Sequence, residues 1–254
     1  MQQPFPILEF DDTRRALIEP DLLHRSMDVP EHCVLCFFQD AIEQACGADR
    51  ARTVYHLRSE IGNNPIYELK VNGERVIVVH PGVGAPLAAA FLEDLIALGC
   101  RKFIACGGAG VLDGGIVLGH AVVPTAAIRD EGTSYHYLPA SRDVNASPEA
   151  VAAIEYTLKQ NGVPYLLGKT WTTDAIYRET PAKIARRKQE GCLTVEMEAA
   201  AFFAVAQFRG VTFGQILYGG DDVSSETWDH RNWDSHTSVR DSLFSLAVEA
   251  CLSL

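Results

Sequence analysis

Residues 195–222, VEMEAAAFFAVAQFRGVTFGQILYGGDD, decide how this chain is read. Two carboxylates, Glu196 and Glu198, stand directly before residues 198–209 (EAAAFFAVAQFR), which are apolar on nearly every face and read as a buried helix. Residues 211–218 (VTFGQILY) read as a buried strand, and Gly219-Gly220-Asp221-Asp222 leave its carboxyl end. A carboxylate buried without partners is costly, so these four acids need a reason to be there. In extended chain the spacing of Glu196 and Glu198 puts both on one side. A carboxylate accepts two hydroxyl hydrogen bonds, so a sugar diol would satisfy one of them. The competing reading is that both cap backbone N–H groups at the helix start. Adjacent like charges at 221 and 222 raise each other's pKa, which suits a general acid working near neutrality. Solvated turn residues are the alternative there.

Nearer the N-terminus, residues 66–71 and 75–80 flank Asn72-Gly73, a two-residue hairpin signal. Pro81-Gly82-Val83-Gly84-Ala85-Pro86 then turns the chain into AAAFLEDLIALG, an amphipathic helix ending at Gly99. Residues 102–106 read as a buried strand entering a loop, Gly107-Gly108-Ala109-Gly110. Further strands are expected over 116–128 and 165–172, and helices over 147–161, 181–190 and 236–252. Alternating strands and helices predict an α/β fold with a largely parallel sheet between helices, as one domain over 1–254. In such sheets ligands bind beyond the carboxyl ends of strands. Four of those ends carry glycines or acids here, at 81–86, 107–110, 194–199 and 219–222. The dinucleotide fingerprint GxGxxG is not matched, which argues against a nicotinamide cofactor.

With 254 residues, a net charge of −11 and 47% hydrophobic residues, the composition is that of a globular protein, not a disordered or fibrous one. The acidic balance argues against a nucleic-acid partner. No run reaches the ~20 apolar residues of a membrane span, and the N-terminus has no signal-peptide pattern. A cytoplasmic protein is expected. Seven scattered cysteines make no disulfide framework. Cys33 and Cys36 form a lone CxxC; buried packing is the expected role, with redox or metal chemistry as the alternative.

Taken together, these motifs resemble the nucleoside phosphorylase family, which includes purine nucleoside phosphorylase, uridine phosphorylase and methylthioadenosine nucleosidase. Glu196-Met197-Glu198 matches its ribose motif and Gly220-Asp221 its purine motif. HPGVGAP and CGGAG match its two glycine turns, IRDEGTSYHY (128–137) a following segment, and Thr172 to Tyr177 its base-pocket strand end. The resemblance implies a central mixed β-sheet flanked by helices as a three-layer sandwich. It also implies cleavage of a nucleoside N-glycosidic bond by phosphate, giving free base and ribose 1-phosphate. By the same resemblance Glu198, with Glu196 and Met197, would hold the ribose, and Asp221 would protonate a leaving purine. Ile176, Tyr177 and Arg178 would line the base pocket, with a surface ion pair as the alternative for Arg178. No metal or organic cofactor is implied; nucleoside and phosphate would be the ligands, and a homo-oligomer is expected.

The phosphate site departs from the family pattern. The nearest match to its Gly-Asp-Pro-x-Arg loop is residues 10–14, ending on Arg14, with Gly107 and Gly108 as further contacts. Ala105 and Gly108 stand where the family has an arginine and a hydroxyl residue. Arg231 or Arg240 would replace the arginine that follows the aspartate in purine members. A hydrolytic nucleosidase, with Glu9 or Asp12 as base, is the alternative activity, as is a uridine-type phosphorylase. A catalytically silent nucleoside-binding protein is the non-enzymatic alternative.

Overall fold

The computed structural model describes residues 3–47 and 50–254. Its strands are β1 His32–Cys36, β2 Arg52–Ser59, β3 Gly62–Val71, β4 Glu74–Val79, β5 Lys102–Val111, β6 Ala121–Asp130, β7 Asp143–Asn145, β8 Tyr165–Thr173, β9 Cys192–Glu196 and β10 Thr212–Asp222. Its α-helices are α1 Pro20–Leu23, α2 Gln39–Cys46, α3 Ala85–Leu98, α4 Pro148–Gln160, α5 Pro181–Gln189, α6 Ala199–Arg209 and α7 Thr237–Leu252.

The sheet is mixed, where alternation alone predicted a largely parallel one. β1 runs parallel to β4 and β5, β5 to β10, β6 to β8 and β8 to β9. The β2–β3, β3–β4, β6–β10, β6–β7 and β5–β9 pairs are antiparallel. Because β5 pairs with both β9 and β10, strands β10, β6, β8, β9 and β5 close into a ring, and β1, β4, β3 and β2 extend from it. Helices cover both faces. Leu92 of α3 and Phe202 of α6 pack on Leu35, Ile77 and Phe103. Ile42 of α2, Ile154 of α4 and Phe244 of α7 pack on Val34, Ile104 and Ile216 on the other face.

Local signals in the sequence mark the elements well. Asn72 and Gly73 both take positive φ, 51° and 89°, as the tight β3–β4 turn demands. Gly99, at φ 135°, stops α3. Residues 199–206 of α6 are all buried, as an all-round apolar helix must be. Phe202 stacks on Phe213 at 4.7 Å between ring centroids, locking α6 to β10.

Two segments read as loops are strand instead. Gly107 to Gly110 lie inside β5, and Gly219 to Asp222 inside β10; the register pairs Leu217 with Gly107, Tyr218 with Gly108 and Gly219 with Ala109. Side chains are missing there because space is. A Cβ on Gly107 would meet the Phe37 ring at 3.0 Å, and one on Gly108 would meet Tyr218 at 3.1 Å. All seven cysteines are buried and free. Cys33 and Cys36 lie three apart on one strand and join the cores on opposite faces, so a disulfide between them has no geometry.

Candidate active site

The four strand ends singled out in the sequence converge on one cavity of about 620 Å³. Val83 enters from the turn after β4, Gly107 to Gly110 from β5, Val195 to Glu198 from β9 and Gly220 and Asp221 from β10. Phe37, Phe38, Gln39 and Asp40 add the loop after β1 and the start of α2, Ile176 and Glu179 the turn after β8, Trp233 the 3₁₀ turn before α7 and Arg240 the first turn of α7. The volume suits a small organic ligand, and the wall is mainly apolar with a few polar groups.

The two glutamates of the Glu-Met-Glu motif divide their work. One oxygen of Glu196 accepts from the backbone N–H of Glu198 at 2.7 Å and of Ala199 at 2.6 Å; the other accepts from Thr172 Oγ1 at 2.6 Å. Glu196 therefore caps α6, and the capping reading describes it better than ribose contact. Burial pushes its carboxyl up, against the pull of these bonds. Glu198 is buried too, but accepts from the N–H of Gly84 at 2.6 Å. Gly84 sits at φ 92°, a conformation that favours glycine, so the turn after β4 is shaped to present this N–H. Burial, then the charge of Glu196, hold the Glu198 carboxyl well above the ordinary range. Hydroxyl donors from a ligand would offset that lost solvation. Met197 lies between the two, on the cavity wall.

At the end of β10 the adjacent acids point apart, as strand neighbours do. Asp221 lines the cavity and accepts from Trp228 Nε1 at 2.7 Å. Asp222 turns to Arg231 and to the N–H of Ser224, at 2.7 Å for the latter. Burial raises the Asp222 carboxyl, but the Ser224 bonds and the Arg231 charge outweigh it and hold it below its usual value. The expected pairing of 221 with 222 is thus not formed. The carboxylate facing Asp221 is Glu179, which the sequence reading missed. Burial, then the Asp221 charge, push Glu179 up to about 7, with Lys183 opposing.

The missed residue has a geometric cause. Residues 176–178 form one turn of 3₁₀-helix, in which positions three apart lie on the same side. Ile176 and Glu179 share the cavity side, while Tyr177, 95% exposed, and Arg178 face outward. Neither Tyr177 nor Arg178 lines the cavity in this chain.

Arg14 is also displaced from its expected role. Its guanidinium lies 4.7 Å from the Phe208 ring centroid and donates to the Phe208 carbonyl, at the end of α6 and away from the cavity lining. The loop that faces the β5 glycines is the one after β1, and Phe37 takes up the space against Gly107. The guanidinium on the cavity wall is Arg240. It donates to Asp40 Oδ2 at 3.0 Å, and its Cζ lies 5.6 Å from the ring centroids of both Phe38 and Trp233. Arg240 Nε, Asp40 Oδ1 and Gln215 Oε1 are buried and lack partners among the described residues. Arg231 donates to the Ile116 carbonyl at 2.8 Å and holds Asp222; it does not line the cavity, whereas Arg240 does.

The Phosphorylase superfamily sequence model matches residues 31–253. The chain belongs to that superfamily. The match starts at β1, leaving residues 10–14 outside it. A guanosine phosphorylase of Halorubrum lacusprofundi is 33% identical over 155 residues, 59% of this chain and 63% of that protein. The aligned part is thus under two thirds of that relative's length. A uridine phosphorylase of Escherichia coli is 26% identical over 202 residues, 74% of this chain and 79% of that protein. In fold, the chain is similar to purine nucleoside phosphorylase from Toxoplasma gondii, solved with immucillin-H. The TM-score is 0.77 at 20% identity, covering 89% of this chain and 92% of the other. AMP nucleosidase from Bacteroides thetaiotaomicron gives 0.73 at 21% identity, covering 91% of each. Among the described residues no helix is long and apolar enough to cross a membrane, and no group of three metal-binding side chains gathers.

Proposed function

We propose that this protein cleaves the N-glycosidic bond of a purine nucleoside in the cavity described above, residues 1–254 acting as one cytoplasmic enzyme domain. The observation that carries this is the placement of Glu198 and Asp221 on the wall of one cavity. Glu198 is poised to accept the ribose hydroxyls and Met197 to pack under the sugar. Asp221 gives the leaving purine a proton, so the base departs neutral while charge develops on the sugar. The exposed apolar side chains on the cavity wall, Val83 at 64% and Ile176 at 55%, with the outward-facing Tyr177 beside them, support a homo-oligomer that covers it.

Phosphate is the first reading for the group that attacks the sugar. Its supports are the family, the Arg240 guanidinium on the wall and the β5 backbone at Gly107 and Gly108. Water is the second reading, and two observations favour it. Asp40 already neutralises Arg240, and Phe37 fills the space beside Gly107. A phosphate dianion needs several charge-assisted donors. Base release from adenosine, inosine, guanosine and uridine, each with and without phosphate, tests the proposal. Release that depends on phosphate, with ribose 1-phosphate as product, supports phosphorolysis. Release without it, giving free ribose, supports hydrolysis. No release from any of the four would overturn the proposal.

A further inference from the structure

Glu179 and Asp221 enter the cavity from different elements, the turn after β8 and the end of β10. Asp221 has the Trp228 indole as partner, whereas Glu179 accepts no hydrogen bond among the described residues. The charged groups around Glu179 are Asp221 from β10 and Lys183 from α5. Lys183 is engaged by Asp130 Oδ2 at 3.2 Å, and Glu196, Glu198 and Arg240 share the cavity further along. A half-buried carboxyl with no protein donor, beside a second carboxyl on the wall of a ligand-sized cavity, is built to meet a ligand.

We propose that Glu179 is the specificity-determining carboxyl of the base pocket, and that with Asp221 it selects a 6-aminopurine over a 6-oxopurine. This rests on the reading of Asp221 as the acid for the leaving base. On the edge of a purine, N7 always accepts. The neighbouring group at C6 donates when it is an amine and accepts when it is a carbonyl. Two carboxyls that hold one proton between them offer one O–H donor and one ionised acceptor. That pair matches N7 and the 6-amino group. A 6-oxopurine presents two acceptors and needs both carboxyls protonated, a state reached only where a second proton binds, at lower pH. In the cleavage step the C1′–N9 bond breaks with its electrons to the base while an oxygen of phosphate or water bonds to C1′; the shared proton passes to N7, and the proton that this oxygen loses returns to the pair through solvent. Because burial and the Asp221 charge push Glu179 up to about 7, Glu179 carries this proton below neutrality and loses it above.

Calorimetric binding of free adenine and hypoxanthine between pH 6 and 8.5 tests this, with the wild-type protein and Glu179→Gln. Wild type is expected to bind adenine about tenfold or more tightly than hypoxanthine near pH 6.5, one charge-assisted hydrogen bond being at stake. Above pH 7 adenine affinity falls about tenfold per pH unit, the slope of one proton taken up. A glutamine amide rotates to offer either a donor or an acceptor and has no proton to lose. Glu179→Gln therefore brings the two affinities close to equal and flattens the pH dependence. A preference and slope that survive the substitution, or no preference in wild type, overturn the inference. The predicted base binding without cleavage of any nucleoside would retain it and sink the cleavage proposal. Cleavage with an unaltered base preference in Glu179→Gln would do the reverse.

Discussion

Glu196→Gln and Glu198→Gln are near-isosteric changes two residues apart, and the structure assigns them opposite consequences. At 196, glutamine keeps one acceptor oxygen for a carboxyl that serves two helix N–H groups and the Thr172 hydroxyl. Loss of charge-assisted capping in a buried place costs about 1–3 kcal/mol. At 198, glutamine still accepts from the Gly84 N–H and removes a buried carboxyl. That carboxyl is raised in the folded state, so its contribution to stability is complete below its unfolded pKa and is lost as pH rises through the raised value. Glu198→Gln lacks this loss, so its stability equals or exceeds wild type, by a margin that grows with pH. In catalysis the order reverses. On the proposed ribose contact, two charge-assisted bonds become ordinary ones, a loss of about 2–3 kcal/mol, or about 30- to 200-fold in kcat/KM. Urea unfolding at pH 6 and 8, beside nucleoside turnover, reads both. A Glu198→Gln protein that is destabilised yet fully active, or a Glu196→Gln protein of unchanged stability and abolished activity, would refute the division.

If phosphate is the acceptor, Arg240→Met raises its KM by about tenfold or more and leaves nucleoside KM alone, since Arg240 is the guanidinium on the wall; steady-state kinetics at varied phosphate reads this. An unchanged phosphate KM would rule out Arg240 as its ligand. Gly84→Ala costs about 1–3 kcal/mol in denaturant unfolding, because φ 92° favours glycine, and it lowers turnover by shifting the N–H that holds Glu198. Stability and activity both at wild-type level would show that the turn tolerates a side chain.

The sequence was legible where a signal is local. Asn72-Gly73 and Gly99 marked a hairpin and a helix end, and the apolar run at 199–206 marked the buried helix. The carboxylates at 196, 198 and 221 stood out because charge amid apolar residues demands a reason. Glycine runs were less informative: 107–110 looked like a loop, but pairing with β10 keeps it in strand, and only the positions of Phe37 and Tyr218 explain the missing side chains. Nothing local tells that a 3₁₀ turn pairs Ile176 with Glu179 and turns Tyr177 away. Nor can spacing show that Arg240, in the last helix, reaches Asp40 at the start of the second. Arg14 illustrates the converse: a motif sought near the N-terminus was matched by composition, while the loop that reaches the cavity beside the β5 glycines is the one after β1.

Asp221→Asn is the sharpest probe of where the glycosidic bond breaks. The substitution keeps the acceptor oxygen for Trp228 and removes the transferable proton. Purine nucleoside turnover is expected to fall by about 10²–10⁴, the contribution of a positioned general acid, while equilibrium binding of the nucleoside persists. Turnover at the wild-type rate would contradict the assignment of this cavity as the place where the glycosidic bond breaks.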